Sequence, residues 1–126
     1  MSSKDDALAF ACKRLLPRIR KIFVTVRICN MDVDADVDQG YDDREYVIRI
    51  NRKLAGDDLL TAIFHEMVHI KQDIRKEYPV FLPSTIPYYD RPWEIEAYKM
   101  QEVLLLEYQK HINNRIIPNN TVSKDS

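Results

Sequence analysis

The residues best suited to chemistry are His65, Glu66 and His69, which spell His-Glu-x-x-His inside a segment of periodic apolar residues. On an α-helix, positions i and i+4 lie one turn apart on the same face, so both imidazoles could bind one metal ion. The glutamate beside them would then act as a general base toward a water molecule that the metal activates. The spacing therefore predicts a single Zn2+ ion with His65 and His69 among its ligands.

The segment that contains this motif has the pattern of a helix. Asp57 follows Gly56 and is the predicted N-cap, and Asp58 suits the positive end of the helix dipole. Apolar residues recur at helical spacing and form a predicted core stripe: Leu60, Ile63, Phe64, Met67, Ile70 and Ile74. Two histidines packed in a core helix are the plain structural alternative. A histidine pair that brackets a glutamate favours the metal site.

A third protein ligand is expected, because a catalytic zinc site usually has three and leaves one position open. Glu94 and Glu96 are the better candidates, since they lie among apolar residues of a later predicted helix and a buried carboxylate needs a partner. His111 is a weaker candidate because it falls near the end of that helix. The residues alone leave the choice between Glu94 and Glu96 open.

Composition favours one compact domain. The chain has 126 residues, of which 45% are apolar, and this is enough for one modest core. Its formal net charge is -1, so no basic excess favours nucleic acid as a partner. No apolar run reaches membrane-spanning length and no N-terminal segment has the pattern of a secretion signal, so we expect no membrane association and a cytoplasmic location. Cys12 and Cys29 are expected to be reduced and buried.

The first half of the chain predicts one helix and two strands. Residues 4–20 have the pattern of an amphipathic helix, which Pro17 should shorten or kink. Residues 22–28 are rich in β-branched side chains, and residues 45–50 alternate apolar and polar side chains, so both segments predict β-strands.

The second half predicts a further helix and a tail. This helix should begin near residues 91–93, after a proline-containing loop, and end near residue 112. The composition then turns polar. We therefore expect one domain over residues 1–112 and a flexible tail over residues 113–126.

An acidic stretch at residues 31–43 alternates Asp with small apolar residues, which predicts an edge strand or a solvated hairpin loop. Five carboxylates match ligand positions of a calcium-binding EF-hand loop: Asp34, Asp36, Asp38, Asp42 and Glu45. Gln39, however, occupies the position where the tight turn of such a loop needs glycine, and strands rather than helices flank it. The edge or loop interpretation is therefore favoured over bound calcium.

Residues 64–72 and 91–97 together resemble the gluzincin arrangement of zinc metallopeptidases, in which His-Glu-x-x-His precedes a glutamate on a later helix. They are similar to small zincin-like proteins of bacteria and phages. In gluzincins a small residue often follows the ligand glutamate, as Ala97 follows Glu96, so the resemblance implies Glu96 as the third ligand and Glu94 as the alternative. It also implies a minimal zincin-like α+β domain: an N-terminal helix, a small antiparallel sheet, the His-Glu-x-x-His helix and a C-terminal helix that carries the third ligand.

Further roles follow for a peptidase of this kind. Glu66 would be the general base. One of Tyr88, Tyr89 and Arg91, which lie in the loop expected to border the site, would stabilise the oxyanion. The strand at residues 45–50 would offer an edge that pairs with extended substrate backbone.

One position departs from the larger gluzincins. Those proteins often carry an aspartate four residues after the ligand glutamate, where it orients a ligand imidazole, and this chain has Met100 there. Asp90, Tyr98 or a backbone carbonyl would have to take that role.

The function predicted from these residues is a zinc-dependent metallopeptidase that acts on a protein or peptide substrate. The alternative is a zinc-containing protein-binding module with little or no hydrolytic activity, which the intact Glu66 argues against and the missing aspartate argues for. A metal-free helical interaction protein is a third, weaker hypothesis.

Overall fold

The computed structural model describes residues 3–116 and has three helices and three strands. In chain order the elements are α1 (Ser3–Leu15), β1 (Phe23–Cys29), β2 (Ala35–Gln39), β3 (Glu45–Asn51), α2 (Gly56–Ile74), a short 3-10 helix (Tyr88–Asp90) and α3 (Pro92–Ile116). The predicted α+β class is confirmed.

The strands form one mixed sheet in the order β1-β3-β2. The central strand β3 runs parallel to β1, with Phe23 opposite Glu45, and antiparallel to β2, with Val37 opposite Ile48. The prediction of an antiparallel sheet is therefore wrong for β1 and β3. The chain reverses direction between β1 and β2 and again between β2 and β3, so β1 and β3 run in the same direction.

The strand predicted to bind substrate has no free edge. Residues 45–50 belong to β3, which pairs with a strand on each side, so the prediction that this segment is a free edge is wrong. The free edges belong to β1 and β2. The acidic stretch provides one of them, since β2 spans Ala35–Gln39, and this confirms its interpretation as an edge strand.

A tight loop joins β2 to β3. The Gly40 N–H donates to the carbonyl oxygen of Glu45 at 2.6 Å, and the Glu45 carboxylate accepts from the backbone N–H of Tyr41 at 2.7 Å. A Cβ atom at Gly40 would collide with the Glu45 side chain, so a larger residue there would displace this carboxylate from its hydrogen bonds. The carboxylate that would end a calcium loop thus stabilises the hairpin.

Helix α2 is the centre of the core, and every residue from Ala62 to Ile70 is buried. It packs against α1, α3 and the sheet. The residues that surround it come from all of these elements: Ala7, Ala11, Tyr46, Ile48, Ile50, Ala97, Leu104 and Tyr108. A helix enclosed in this way holds the side chains of its middle turns away from bulk water, and His65, Glu66 and His69 lie in those turns.

The helix starts and ends refine the predictions. Helix α1 ends at Leu15, before Pro17, as expected from a residue that cannot continue a helix. Helix α2 begins at Gly56, whose φ of 58° favours glycine, and the N-cap residue is Ala55 with no side-chain cap. The prediction that Asp57 caps this helix is therefore wrong.

Helix α3 continues to Ile116, beyond the predicted end near residue 112. Arg115 forms an ion pair with Asp6 at 2.9 Å, which ties this last turn to α1. The first residues of the predicted tail are therefore helical, and residues 117–126 lie outside the described part of the chain.

Two further observations concern the whole described region. Cys12 and Cys29 are free thiols, and both are only partly buried, so the prediction of full burial is wrong. Between residues 3 and 116, none of the helices combines the length and the apolar character that crossing a bilayer requires.

Candidate metal centre

Two histidines of α2 and one glutamate of α3 converge. Glu94 Oε1 lies 3.0 Å from His65 Nε2 and 3.1 Å from His69 Nε2. One potential ligand atom from each residue lies within 4.8 Å of the other two. The side chains of both histidines are 8% exposed and that of Glu94 is 9% exposed, so the group is largely shielded from water.

The other ring nitrogen of each histidine faces a glutamine. His65 Nδ1 lies 2.8 Å from Gln101 Oε1, and His69 Nδ1 lies 2.8 Å from Gln72 Oε1. An amide oxygen only accepts hydrogen bonds, so each imidazole carries its proton on Nδ1 and donates it there. In the neutral imidazoles, both Nε2 lone pairs then point at a carboxylate oxygen that is itself an acceptor.

Three acceptor atoms that face one another repel unless positive charge lies between them. Protonated imidazoles or a bound cation can supply that charge. Two neutral imidazoles and one carboxylate, held at this mutual separation, are a ligand set that zinc accepts. The residues present therefore fit one Zn2+ ion.

Gln72, which contacts His69, is held in place by burial and by its own hydrogen bonds. It has no exposed surface, and its Nε2 donates to the backbone oxygen of Trp93 at 3.0 Å and to Glu96 Oε1 at 2.7 Å. These two bonds determine which end of the amide faces His69. Gln72 thereby links Glu96 to the metal centre without bringing that carboxylate to it.

The prediction of Glu96 as the carboxylate that faces the histidines is wrong. Its carboxylate contacts Lys71 Nζ at 3.2 Å as well as Gln72. Residues two apart on a helix project about 200° from each other, so the two carboxylates reach different parts of α2. Glu94 meets the two histidines, whereas Glu96 meets the side chains at positions 71 and 72.

His111 and the predicted orienting groups are also corrected. His111 is far along α3, where its ring centroid lies 5.1 Å from that of Phe10. The prediction that Asp90, Tyr98 or a backbone carbonyl orients the imidazoles is wrong, because Gln72 and Gln101 contact their Nδ1 atoms. Tyr98 packs its ring against that of His65 at a centroid distance of 4.5 Å.

Helical spacing in the sequence is a signal that relates Glu94 to Gln101 and His69 to Gln72. Glu94, Ala97, Gln101 and Leu104 are spaced by three or four residues, which places them on one face of α3. Gln72 follows His69 by three residues and shares its face of α2.

Of the three residues predicted to stabilise the oxyanion, Tyr88 and Tyr89 line the cleft and Arg91 does not. The Tyr88 hydroxyl donates to Glu94 Oε1 at 3.0 Å, and burial raises the pKa of this hydroxyl, which keeps it protonated. Tyr89 lines the cleft described below. Arg91 donates from Nε to the carbonyl oxygen of Ile86 at 2.8 Å and does not line the cleft, so the structure does not bring it to the site.

Burial raises the pKa values of Glu94 and Glu66, whereas the contacts with His65 and His69 lower them, and the balance differs between the two residues. Burial by itself would raise the pKa of Glu94, but the hydrogen bonds that His65 and His69 donate to it when both of their ring nitrogens are protonated outweigh burial and lower the value to about 2. Burial raises the pKa of Glu66 to about 7, although the nearby His69 and His65 oppose this shift. Glu94 is therefore ionised at neutral pH, whereas Glu66 holds its proton more readily than an ordinary carboxyl group.

A cleft of about 960 Å³ opens beside His65 and Glu66. Three parts of the fold line it. The start of β2 and the residues before it contribute Val33, Asp34 and Ala35, the first half of α2 contributes Leu54, Asp57, Asp58, Thr61 and Ala62, and the third side consists of Tyr88, Tyr89, Tyr98, Gln101, Glu102 and Leu105. A segment bound in this cleft would contact the start of β2 and the His65 side chain together.

The carboxylates of the acidic stretch do not form a comparable group. Asp36 accepts two hydrogen bonds from Arg49, at 2.7 and 2.6 Å, and Asp38 lies 3.5 Å from the same guanidinium. Within residues 3–116, the convergent metal-ligand group is the one formed by His65, His69 and Glu94.

Comparison of the chain with protein-family models, with curated proteins and with solved structures finds no match. The structure is a small α+β domain with a buried His-His-Glu group, of which His65 lines a cleft.

Proposed function

We propose that this chain is a zinc-dependent metallopeptidase with a zincin-like domain, in which His65, His69 and Glu94 hold one Zn2+ ion. The observation that carries the proposal is the convergence of the two Nε2 atoms and Glu94 Oε1, all buried, at the side of an open cleft. The gluzincin-like arrangement expected from the sequence is kept, with Glu94 in place of Glu96 as the third ligand.

The ligand set leaves room for chemistry. Three protein ligands are typical of a catalytic zinc site, whereas structural sites usually have four. A zinc ion bound in this way supplies Lewis-acid activation of water and of a substrate carbonyl.

Glu66 supplies the proton transfer. Its carboxylate is 7% exposed and lines the cleft beside His65. It accepts the proton of the attacking water and delivers it to the amine that leaves when the peptide bond breaks. A purely structural metal site would have no need of a buried carboxylate in this position.

Two further elements support peptide hydrolysis. The neutral Tyr88 hydroxyl, already in contact with Glu94, is the proposed stabiliser of the oxyanion. The free edge of β2 reaches the cleft at Ala35 and can form backbone hydrogen bonds with an extended substrate.

A specific observation favours the second candidate, a zinc-containing protein-binding module. Both histidines donate to neutral amide oxygens, whereas a carboxylate in that position would raise the basicity of the ligands. A site whose histidine ligands are less basic would still bind zinc but would hydrolyse peptides slowly.

The test compares the zinc-loaded full chain with Glu66→Gln and with the control Glu77→Gln, whose carboxylate pairs with Lys71 outside the cleft. Cleavage of an unfolded protein and a peptide library is followed by mass spectrometry, with zinc content measured on each sample. We expect one zinc per chain in all three proteins and a loss of about 100-fold or more in turnover for Glu66→Gln only. Zinc-loaded protein that cleaves no peptide, or that cleaves equally well with Gln at position 66, would favour the binding module.

A further inference from the structure

The charged side chains that line the cleft, apart from the ligand His65, all have the same sign. They are Asp34, Asp57, Asp58 and Glu102, and among residues 3–116 no Lys or Arg lines the cleft. Glu66, whose pKa is raised by burial, adds a fifth carboxyl group. The chain as a whole has a formal net charge of only -1. The negative potential of the cleft therefore comes from the local placement of these residues.

These carboxylates also differ from others in the described part of the chain. Outside the cleft, Asp36 pairs with Arg49, Glu96 with Lys71 and Glu107 with Arg14. Among residues 3–116, none of the five cleft carboxylates forms an ion pair with a basic side chain. Asp57 and Glu102 accept hydrogen bonds only from the neutral amides of Gln109 and Gln101. Asp34, Asp57, Asp58 and Glu102 are exposed to solvent, so their negative charge is available to a cationic ligand.

Glu66 is an independent indication of a ligand. This side chain is 7% exposed, lines the cleft and makes no hydrogen bond or ion pair with any residue between 3 and 116. A buried carboxylate without a partner is costly, because its lost hydration is not replaced. The cleft is therefore built to be filled by a molecule that offers hydrogen-bond donors.

The aromatic side chains of the cleft also favour a cationic ligand. The rings of Tyr88 and Tyr89 lie 5.0 Å apart, and those of Tyr89 and Tyr98 lie 6.0 Å apart. The faces of such rings carry partial negative charge and attract ammonium and guanidinium groups. Arg91 packs over the Tyr88 ring at 5.6 Å from outside the cleft, so the rings of Tyr89 and Tyr98 are the ones left for a ligand.

We propose that the cleft selects peptide segments that carry Lys or Arg, an inference that rests on the proposed peptidase function for turnover. Asp58 precedes His65 by seven residues of α2, which corresponds to about 10 Å along the helix axis. An extended peptide advances about 3.3 Å per residue, so this distance spans about three residues. The preferred basic residue thus lies about three positions from the scissile bond.

The experiment measures binding and cleavage with the same peptides. Three fluorescent peptides share one sequence and differ only in carrying Lys, Gln or Glu at positions three residues to either side of the central bond. Binding is measured by fluorescence anisotropy on zinc-loaded Glu66→Gln, which is designed to prevent turnover, and cleavage is measured on the zinc-loaded native chain. We expect the Lys peptide to bind about five- to tenfold more tightly than the Gln peptide, with the Glu peptide weakest and the preference declining as salt rises.

Two matched double variants in the Glu66→Gln chain locate the effect. Asp34→Asn with Glu102→Gln removes two charges from the cleft, and Asp42→Asn with Asp43→Asn removes two charges from the loop at the other end of β2. We expect the first pair to abolish most of the preference for Lys and the second pair to preserve it. Equal loss in both pairs would overturn the inference, because overall charge would then explain the preference.

The outcomes separate this inference from the proposed function. Cleavage of all three peptides with equal binding would overturn the inference and leave the peptidase function standing. A clear preference for Lys in binding without any cleavage would support the selectivity of the cleft and contradict the peptidase function. Equal binding together with no cleavage would overturn both.

Discussion

Two regions of this molecule concentrate potential metal ligands, and they differ in what surrounds those ligands. Residues 31–45 contain a long series of carboxylates on and around the edge strand β2. The centre at His65, His69 and Glu94 contains a single carboxylate. Only the second region brings its ligand atoms together.

The difference follows from the partners of each group. In the acidic stretch, Arg49 neutralises Asp36 and Asp38, and backbone N–H groups satisfy Glu45. In the buried centre, glutamines hold the Nδ1 sides of both imidazoles, and three acceptor atoms are left facing one another. A metal site is thus indicated by unbalanced acceptors in a desolvated position, whereas the number of nearby carboxylates is a poor guide.

The largest expected effect comes from removing the one carboxylate of the buried centre. Glu94→Gln should weaken zinc binding by more than about 100-fold, because groups that only orient a ligand already account for 10- to 100-fold. Glu96→Gln should have a smaller effect, since Glu96 acts through Gln72. Competition titrations with a zinc chelator measure both.

The acidic stretch supplies the control for that experiment. Asp36→Asn with Asp38→Asn removes two carboxylates that contact Arg49 and should leave zinc affinity unchanged. A larger loss of affinity for Glu96→Gln than for Glu94→Gln would show that the wrong glutamate has been assigned. A loss in the double variant would remove the contrast between the two regions.

An intermediate effect is expected at the orienting glutamines. Gln101→Leu removes the acceptor of His65 Nδ1–H and should weaken zinc binding by about 10- to 100-fold. Gln101→Glu keeps an acceptor there and should retain zinc affinity. Isothermal titration calorimetry would show the difference, and equal losses in both variants would mean that Gln101 acts by packing alone.

How far the sequence predicts this site depends on which contacts are local. His65, Glu66 and His69 are set by spacing within one helix, and their common placement could be predicted without any long-range information. Glu94 could not be chosen over Glu96 in that way, since the choice depends on the rotation of α3 about its axis. The shared face of Glu94, Ala97 and Gln101 favours Glu94, whereas the small residue after Glu96 favours Glu96 only through the resemblance to gluzincins.

The same distinction holds for the fold. The helical segments and the strands follow from periodicity, and Pro17 predicts the early end of α1. The parallel pairing of β1 with β3 does not follow, because it depends on where β2 lies in space. Pairing between strands that are distant in sequence depends on packing in three dimensions, such as that of β2 and β3 against α2, which no local pattern encodes.

The smallest expected effect concerns Asp6, a carboxylate that protein groups satisfy. Hydrogen bonds from Tyr108 and Arg115 lower the pKa of Asp6 below its usual value of 3.8. Because the folded-state pKa is lowered, this group stabilises the fold above pH 3.8, and the contribution is lost as pH falls through the folded-state value.

The Asp6→Asn variant tests this pH dependence. It should lose less stability than the native chain between about pH 5 and pH 2, while its zinc affinity at neutral pH stays unchanged. Chemical denaturation at several pH values measures the free energy of unfolding. Parallel pH profiles for the two proteins would show that Asp6 contributes nothing to acid sensitivity.

The most direct test is X-ray absorption at the zinc edge on the full chain, loaded with one equivalent of zinc and compared with Glu94→Gln. The proposed centre predicts a first shell of nitrogen and oxygen ligands at about 2.0–2.2 Å, with two imidazoles, and the loss of that environment in the variant. Sulfur ligands, a shell with fewer than two imidazoles, an unchanged spectrum in Glu94→Gln or failure to retain zinc would contradict it.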